Sequence, residues 1–204
     1  MNLLPKTFKN VLVTGGAGFI GGELIIYLLK NTSANVFNLD KISYASNTKR
    51  IDNFLRENNE INNRYKLIKG NLVDENFTKS TIDYTQPDLV FHLAAESHVD
   101  RSITNPHAFI FSNTLGSFNL FNAVKNLQDI NTLKNIRIIN ISTDEVYGSL
   151  GDDDIPFSTE TQFNPSSAYS ASKSSADSFA NAFIKTYGQR IQTTHCTNNY
   201  GPRQ

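Results

Sequence analysis

Asn10-Val11-Leu12-Val13-Thr14-Gly15-Gly16-Ala17-Gly18-Phe19-Ile20-Gly21 decides the fold of this chain. Asn10 to Thr14 is a short apolar run, and Glu23 to Lys30, beyond the glycines, repeats apolar residues at helical spacing. The segment reads as strand, tight turn, helix. Gly16-x-Gly18-x-x-Gly21, preceded by Gly15, has the spacing of a dinucleotide fingerprint. Glycines serve there because the backbone must turn sharply, approach a pyrophosphate closely and let the helix pack on the strand, with free amides at the helix start facing the anion. The alternative for a lone match is a glycine-rich turn without a ligand. The next strand separates the two: Asn35 to Leu39 is apolar and ends in Asp40, about 20 residues past the glycines, where an acid accepts from the adenosine ribose hydroxyls. A carboxylate there repels a 2′-phosphate, so Asp40 favours NAD over NADP, with Lys41 beside it softening that repulsion.

Outward from this unit the alternation continues. Thr48 to Glu60 reads as a polar helix and Arg64 to Lys69 as a third strand, closed by Gly70 to Asp74, where Asn71 either touches an adenine edge or simply turns the chain. Pro87 to Ala94 is a central parallel strand, apolar on both faces, with Ala94 and Ala95 small where a cofactor needs room. Glu96 to Ser102 packs six polar side chains into seven positions and is expected to wall a pocket. Pro106 to Leu127 has the length of a long helix, interrupted by Ser112 and Asn113; Asn113 marks either a solvated face or a bend where its side chain or freed backbone groups organise a water near a nicotinamide. Ile136 to Ile141 reads as a fifth strand, Leu150 to Asn164 as a loop, and Gln192 to Thr197 as a sixth strand running into Asn198-Asn199-Tyr200-Gly201-Pro202. The expected fold is α/β, a doubly wound parallel sheet of Rossmann type.

Composition narrows the function. Nineteen basic residues balance nineteen acidic ones, and neither sign gathers into a block suited to nucleic acid. Met1 to Asn10 holds no apolar core of signal-peptide length, and the longest apolar run, Leu24 to Leu29, is far too short to span a bilayer, so a cytoplasmic protein with no membrane partner is expected. A single cysteine, Cys196, excludes an internal disulfide and is expected as a small buried side chain in a strand. Four histidines lack ligand spacing, and Asp152-Asp153-Asp154 reads as a solvated loop tip, so no metal is expected.

Two clusters carry candidate chemistry. Ser142-Thr143-Asp144-Glu145-Val146-Tyr147-Gly148 sets a hydroxyl and two carboxyls at the end of the fifth strand, where open α/β sheets keep their ligands. In a regular strand Asp144 and Glu145 point to opposite faces, so both serve one pocket only if the chain is leaving the sheet, a departure that Gly148 favours. Tyr169-Ser170-Ala171-Ser172-Lys173 opens a helix running to about Tyr187. Tyr169 and Lys173, four apart, share a face about 6 Å apart along the axis, and an ammonium there is expected to pull the phenol down towards a working base.

Together these residues resemble the extended short-chain dehydrogenase/reductases that act on nucleotide sugars, and within them the 4,6-dehydratases of dTDP-glucose. The carriers are Gly15 to Gly21, Asp40-Lys41, His92 to Ser102, Ser142 to Gly148, Tyr169 to Lys173 and Asn198 to Pro202. Asp144-Glu145 after Thr143, with Ala94-Ala95-Glu96-Ser97-His98-Val99-Asp100-Arg101-Ser102, points to the dehydratases. The resemblance implies a lyase with tightly bound NAD. Tyr169 would take the proton of the sugar 4-hydroxyl while Thr143 holds that hydroxyl, Lys173 would bind the cofactor ribose and tune Tyr169, Glu145 would remove the carbon-5 proton, and Asp144 would protonate the departing 6-hydroxyl. It implies cofactor contacts at Gly15, Gly18, Phe19, Ile20, Gly21, Asp40, Lys41, Ile42, Ser43, Asn71, Leu72, Leu93, Ala94, Ala95, Glu96, Ser97, Ser112, Tyr169, Lys173 and Asn199. Nucleotide-sugar contacts are implied at Ser97, Thr143 and Asn198, and a homodimer through the long helices. Asn71 stands where the family commonly has Asp, and Ala168 replaces a proline before the tyrosine. Residues 1–204 are expected to be the NAD-binding domain, with the C-terminal substrate-binding domain missing. A related epimerase or decarboxylase, or an inactive NAD-binding fragment, is the competing reading.

Overall fold

Among the described residues, five runs with apolar centres and one more polar run become the six strands of one parallel sheet, and the spacers between them become helices on both of its faces. The computed structural model describes residues 8–130, 135–151 and 153–202; Asp152 of the acid run lies outside them. The strands are β1 (Asn10–Thr14), β2 (Asn35–Asp40), β3 (Tyr65–Lys69), β4 (Leu89–His92), β5 (Arg137–Thr143) and β6 (Arg190–Cys196). Their order across the sheet is β3-β2-β1-β4-β5-β6, with all neighbours parallel. The order reverses between β1 and β4, and the loops leaving those two strands part there to open a crevice.

The helices are α1 (Phe19–Asn31), α2 (Lys49–Glu57), α3 (Glu75–Thr85), α4 (Val99–Thr104), α5 (Pro106–Phe109), α6 (Gly116–Ile130) and α7 (Ala168–Tyr187). Alternate residues along β1 face opposite ways, and so seed two cores. Val11 and Val13 pack with Ile25, Leu28 and Leu29 of α1 and Ile51 of α2. Leu12 packs with Ile82 of α3, Leu120, Phe121 and Val124 of α6, and Phe183 of α7.

Several sequence expectations change here. Helix α3 escapes the sequence reading because threonines fill much of its buried face: Thr78, Thr81 and Thr85 are buried, and the Thr78 and Thr85 hydroxyls donate to the Leu72 and Thr81 carbonyls. Asp74 caps it, accepting from the Phe77 amide at 2.9 Å. The polar helix expected to Glu60 stops at Glu57 and continues as a 3₁₀ turn, Asn59–Arg64. Strand β4 is shorter than expected, because Leu93 to Ala95 leave the ladder to line the crevice. The long helix is broken as its polar centre suggests: a π-helical segment, Ile110–Leu115, joins α5 to α6.

The turn after β1 depends on Gly15, at φ +71°, where an added Cβ would lie 2.7 Å from the Ala94 backbone nitrogen. Replacing it with alanine combines left-handed strain with a backbone clash. Gly15→Ala is expected to cost about 3 kcal/mol and to lower Tm by roughly 6–12 °C, read by thermal unfolding; a loss under about 1 °C would show that the turn adapts freely.

Candidate active site

A cleft of about 540 Å³ opens along the carboxyl ends of β1, β2, β4, β5 and β6. At one end lies the glycine turn. Gly18 caps α1 in an extended conformation with no side-chain cap, and the first turn of α1 holds no acid. The amides and positive dipole end of a 13-residue helix therefore face the cleft uncompensated by the chain. Arg50, which the sequence reading misses, braces the turn from below: its Nη2 donates to the Gly18 and Phe19 carbonyls at 2.7 and 2.9 Å, and a Cβ on Gly22 would fall 1.9 Å from that nitrogen. At the far side, buried Asp40 lines the cleft, with Oδ2 accepting from the Ala17 amide at 2.9 Å and Oδ1 from the Ile42 amide at 2.7 Å and the Ser46 hydroxyl at 3.0 Å. A tight glycine cradle, an open helix start and an acid beyond it suit a dinucleotide's pyrophosphate and adenosine ribose.

Gly15, Gly18, Phe19, Ile20, Gly21, Asp40, Lys41, Ser43, Asn71, Leu72, Leu93, Ala94, Ala95, Ser97, Ser112 and Asn199 all line this cleft, as do Asn198, Thr143, Glu145, Tyr169 and Lys173. Three expected residues do not. Ile42 is held by its backbone in the left-handed region, φ 53°, a strained position for a β-branched residue, and its side chain is 37% exposed away from the cleft lining. Glu96 turns to pair with Lys41, while its own amide and carbonyl are clamped by Asn113. Asp144 stands off the lining because β5 ends in a 3₁₀ turn, Asp144–Tyr147, where successive side chains diverge by roughly a third of a turn. Glu145 faces the cleft, and Asp144 accepts from the Thr143 hydroxyl at 3.3 Å. Gly148, at φ +106°, completes the exit from the sheet. His98, from the stretch expected to wall a pocket, and Ser142, at the head of the Thr143–Glu145 cluster, also line the cleft, as do Ser46 and Thr197, which were not singled out because loop curvature rather than local pattern brings them there.

Asn113 is neither solvated nor set up to order a water through its side chain. It is 1% exposed, with Oδ1 accepting from the Glu96 amide at 2.8 Å and Nδ2 donating to the Glu96 carbonyl and Ser172 Oγ, each at 2.9 Å. It stitches the post-β4 loop to α7. A second strut runs through His92, buried between Thr14 Oγ1 (2.7 Å from Nδ1) and Ser117 Oγ (2.8 Å from Nε2). The Ser117 hydroxyl donates to the Asn113 carbonyl, so Nε2 must carry the His92 proton. Burial first, and Lys173 second, push this imidazole down to about 3, so it stays neutral.

The catalytic candidates meet where α7 begins. Ser167 and Ser170 form a reciprocal capping box that fixes the first turn, placing Tyr169 edge-on to Phe109 at 6.2 Å. The expected downward pull on Tyr169 is overturned. Its phenol is pushed up to about 12, by burial first and by the Glu145 charge second, with the Thr143 hydroxyl opposing. Lys173 is buried and donates to the Ile141 carbonyl at 2.7 Å, and burial lowers its own pKa. Glu145 is raised above the usual carboxylate range by burial and then by Asp144. Cys196 is in β6 as expected but is half-buried at the cleft edge, not in the core. Among the described residues no cluster of three or more His, Cys, Asp or Glu is placed to hold a metal, and no helix is long and apolar enough to cross a membrane.

A six-stranded 3-2-1-4-5-6 sheet with a glycine cradle, an acid at the end of β2 and Tyr-x-x-x-Lys at the start of α7 defines a dinucleotide-binding domain of the short-chain dehydrogenase/reductase class. Within that class, the chain belongs to the family described as GDP-mannose 4,6 dehydratase, whose profile matches residues 12–204. It is 41% identical over 203 residues to the dTDP-glucose 4,6-dehydratase of Salmonella typhimurium, covering 94% of this chain and 55% of that protein. The crystal structure of the Streptomyces venezuelae dTDP-glucose 4,6-dehydratase with NAD and TYD bound superposes with a TM-score of 0.83 at 34% identity, over 95% of this chain and 57% of that one. A UDP-glucose 4-epimerase from Thermotoga maritima, solved with UDP-glucose, matches with a TM-score of 0.81 at 27% identity, over 96% and 57%. The chain spans about half the length of the curated relatives it matches.

Proposed function

We propose that the protein is a dTDP-glucose 4,6-dehydratase, a lyase that uses tightly bound NAD to convert dTDP-glucose to dTDP-4-keto-6-deoxyglucose and water. The observation that carries this is the convergence of Thr143, Glu145, Tyr169 and Lys173 on the cleft that also holds the glycine cradle and Asp40. The 4-epimerase reading shares the fold and the tyrosine–lysine pair; Glu145 on the cleft with Asp144 beside it favours the dehydratase, because water loss needs a base and an acid besides the tyrosine.

The cradle, Asp40 and Lys173 would hold NAD, which when bound accepts a hydride and later returns it, so the cofactor ends as it began. Thr143 positions the sugar 4-hydroxyl, and Tyr169 takes its proton. With its phenol raised to about 12, Tyr169 rests protonated near neutral pH, and the positive charge that NAD would bring to the cleft when bound opposes that rise and favours the phenolate that takes the proton, leaving Glu145 ionised for its own step. The 4-keto group then acidifies carbon 5. Glu145 removes that proton, and Asp144 protonates the 6-hydroxyl as it leaves, once its side chain turns from Thr143 towards the sugar.

Incubation with dTDP-glucose in deuterium oxide tests the reading: a 4-keto-6-deoxy product carrying solvent deuterium at carbon 5 supports it, and a 4-epimer without water loss overturns it. The acid limb of kcat/KM should lie above 4.5, the ordinary glutamate value, because Glu145 is raised and its basic form is lost as pH falls through that raised value. A limb at or below 4.5 would count against Glu145 as the base. The reading carries a cytoplasmic homodimer paired through the long helices; supporting it, Ile110, Phe111 and Phe179 stand 53%, 50% and 37% exposed on those elements.

A further inference from the structure

One carboxylate beneath the cleft has no part in the chemistry above. Asp177 lies on α7 four residues beyond Lys173, on the same helix face and roughly 6 Å along the axis. It is 5% exposed, yet three side chains donate to it: Asn140 Nδ2 to Oδ1 at 2.9 Å, and Ser142 Oγ and His195 Nε2 to Oδ2 at 2.6 and 3.2 Å. Asn140 and Ser142 belong to β5, and Ser142 immediately precedes Thr143; His195 belongs to β6. Lys173 is equally buried at 5%, and its ammonium donates to a carbonyl, a dipole and not a charge. A buried ammonium is sustained only by an anion within range.

We infer that Asp177 is a positioning residue of this site: it is the buried counter-charge to the Lys173 ammonium, and it ties the end of β5 that carries Thr143 and Glu145 to the helix that carries Tyr169 and Lys173. The titratable groups around the pair are His92 from β4, Glu145 and Tyr147 from the turn after β5, Tyr169 from α7, and His195 and Cys196 from β6. Of these, Asp177 most strongly favours the ammonium against the burial that disfavours it, with Cys196 second. Asp177 thereby anchors both halves of the catalytic group on one buried charge.

The consequence for cofactor rests on the reading that Lys173 holds the NAD ribose, and calorimetric titration of NAD across pH tests it. In Asp177→Asn, the alkaline decline of NAD affinity is expected about one pH unit lower than in the parent, roughly tenfold weaker binding in that window, because the lysine gives up its proton earlier. Asp177→Glu is expected to return the limb to its place. An unmoved limb in a folded Asn variant overturns the inference. If that variant does not fold, the unaltered protein decides: a ¹³Cε titration midpoint for Lys173 above about pH 9, assigned by its loss in Lys173→Met, upholds the counter-charge, and a midpoint below that overturns it. Failure of the parent to bind NAD would count against the cofactor reading while leaving the lysine titration decisive, and lack of dehydratase product bears on neither.

Discussion

Replacing Tyr169 by phenylalanine is expected to lower turnover of dTDP-glucose by about 10²–10⁴-fold, the range that a positioned proton-transfer group contributes. The change removes a single oxygen. The ring sits edge-on to Phe109 at 6.2 Å and is 9% exposed, so phenylalanine keeps the packing and the folded state. Lys173, Asp40 and the glycine cradle are untouched, so NAD affinity should stay within a few-fold of the parent. The measurement is steady-state product formation alongside an NAD binding isotherm. Turnover within tenfold of the parent would remove Tyr169 from the mechanism, and a joint collapse of binding and turnover would recast it as a structural residue.

Glu145→Gln is the second large effect, and it works in two directions. The amide cannot accept a proton from carbon 5, so product, and with it the solvent deuterium at carbon 5, should fall by at least about 10²-fold. The same substitution removes the largest charge that raises the Tyr169 phenol, so Tyr169 should ionise at lower pH than in the parent. Ultraviolet difference titration of the phenolate, compared with Tyr169→Phe to assign the signal, reads that shift. A lost reaction with an unmoved phenol would separate the two carboxylate effects and place Glu145 farther from Tyr169 than the folded chain has it.

These two substitutions meet in a part of the molecule that was only partly legible in the sequence. The nucleotide half was written locally. The apolar run before Gly15, the glycine spacing and Asp40 closing β2 depend on period and on backbone permissiveness, properties of a few consecutive residues, and the chain folds there much as that pattern requires. Helix α3 was hidden because Thr78, Thr81 and Thr85 present a buried face that hydropathy reads as polar, the Thr78 and Thr85 hydroxyls being met by a loop and a helix carbonyl. That Asp144 stands off the lining while Glu145 faces it was not legible, because adjacency in sequence carries no direction: only the handedness of the turn after β5 decides which of two neighbouring carboxyls faces the cleft.

The amino-acid sequence by itself determined the parallel sheet, the cofactor cradle and the pairing of Tyr169 with Lys173, since each follows from short-range periodicity or a fixed helical offset. Tertiary structure alone decided the charges those residues carry. It buried the phenol beside Glu145 and raised it, set Lys173 on the Ile141 carbonyl above Asp177, and left Asp144 at the margin. The physical reason is that ionisation depends on desolvation and on charges brought near by the fold, and those are distances across the chain and not along it.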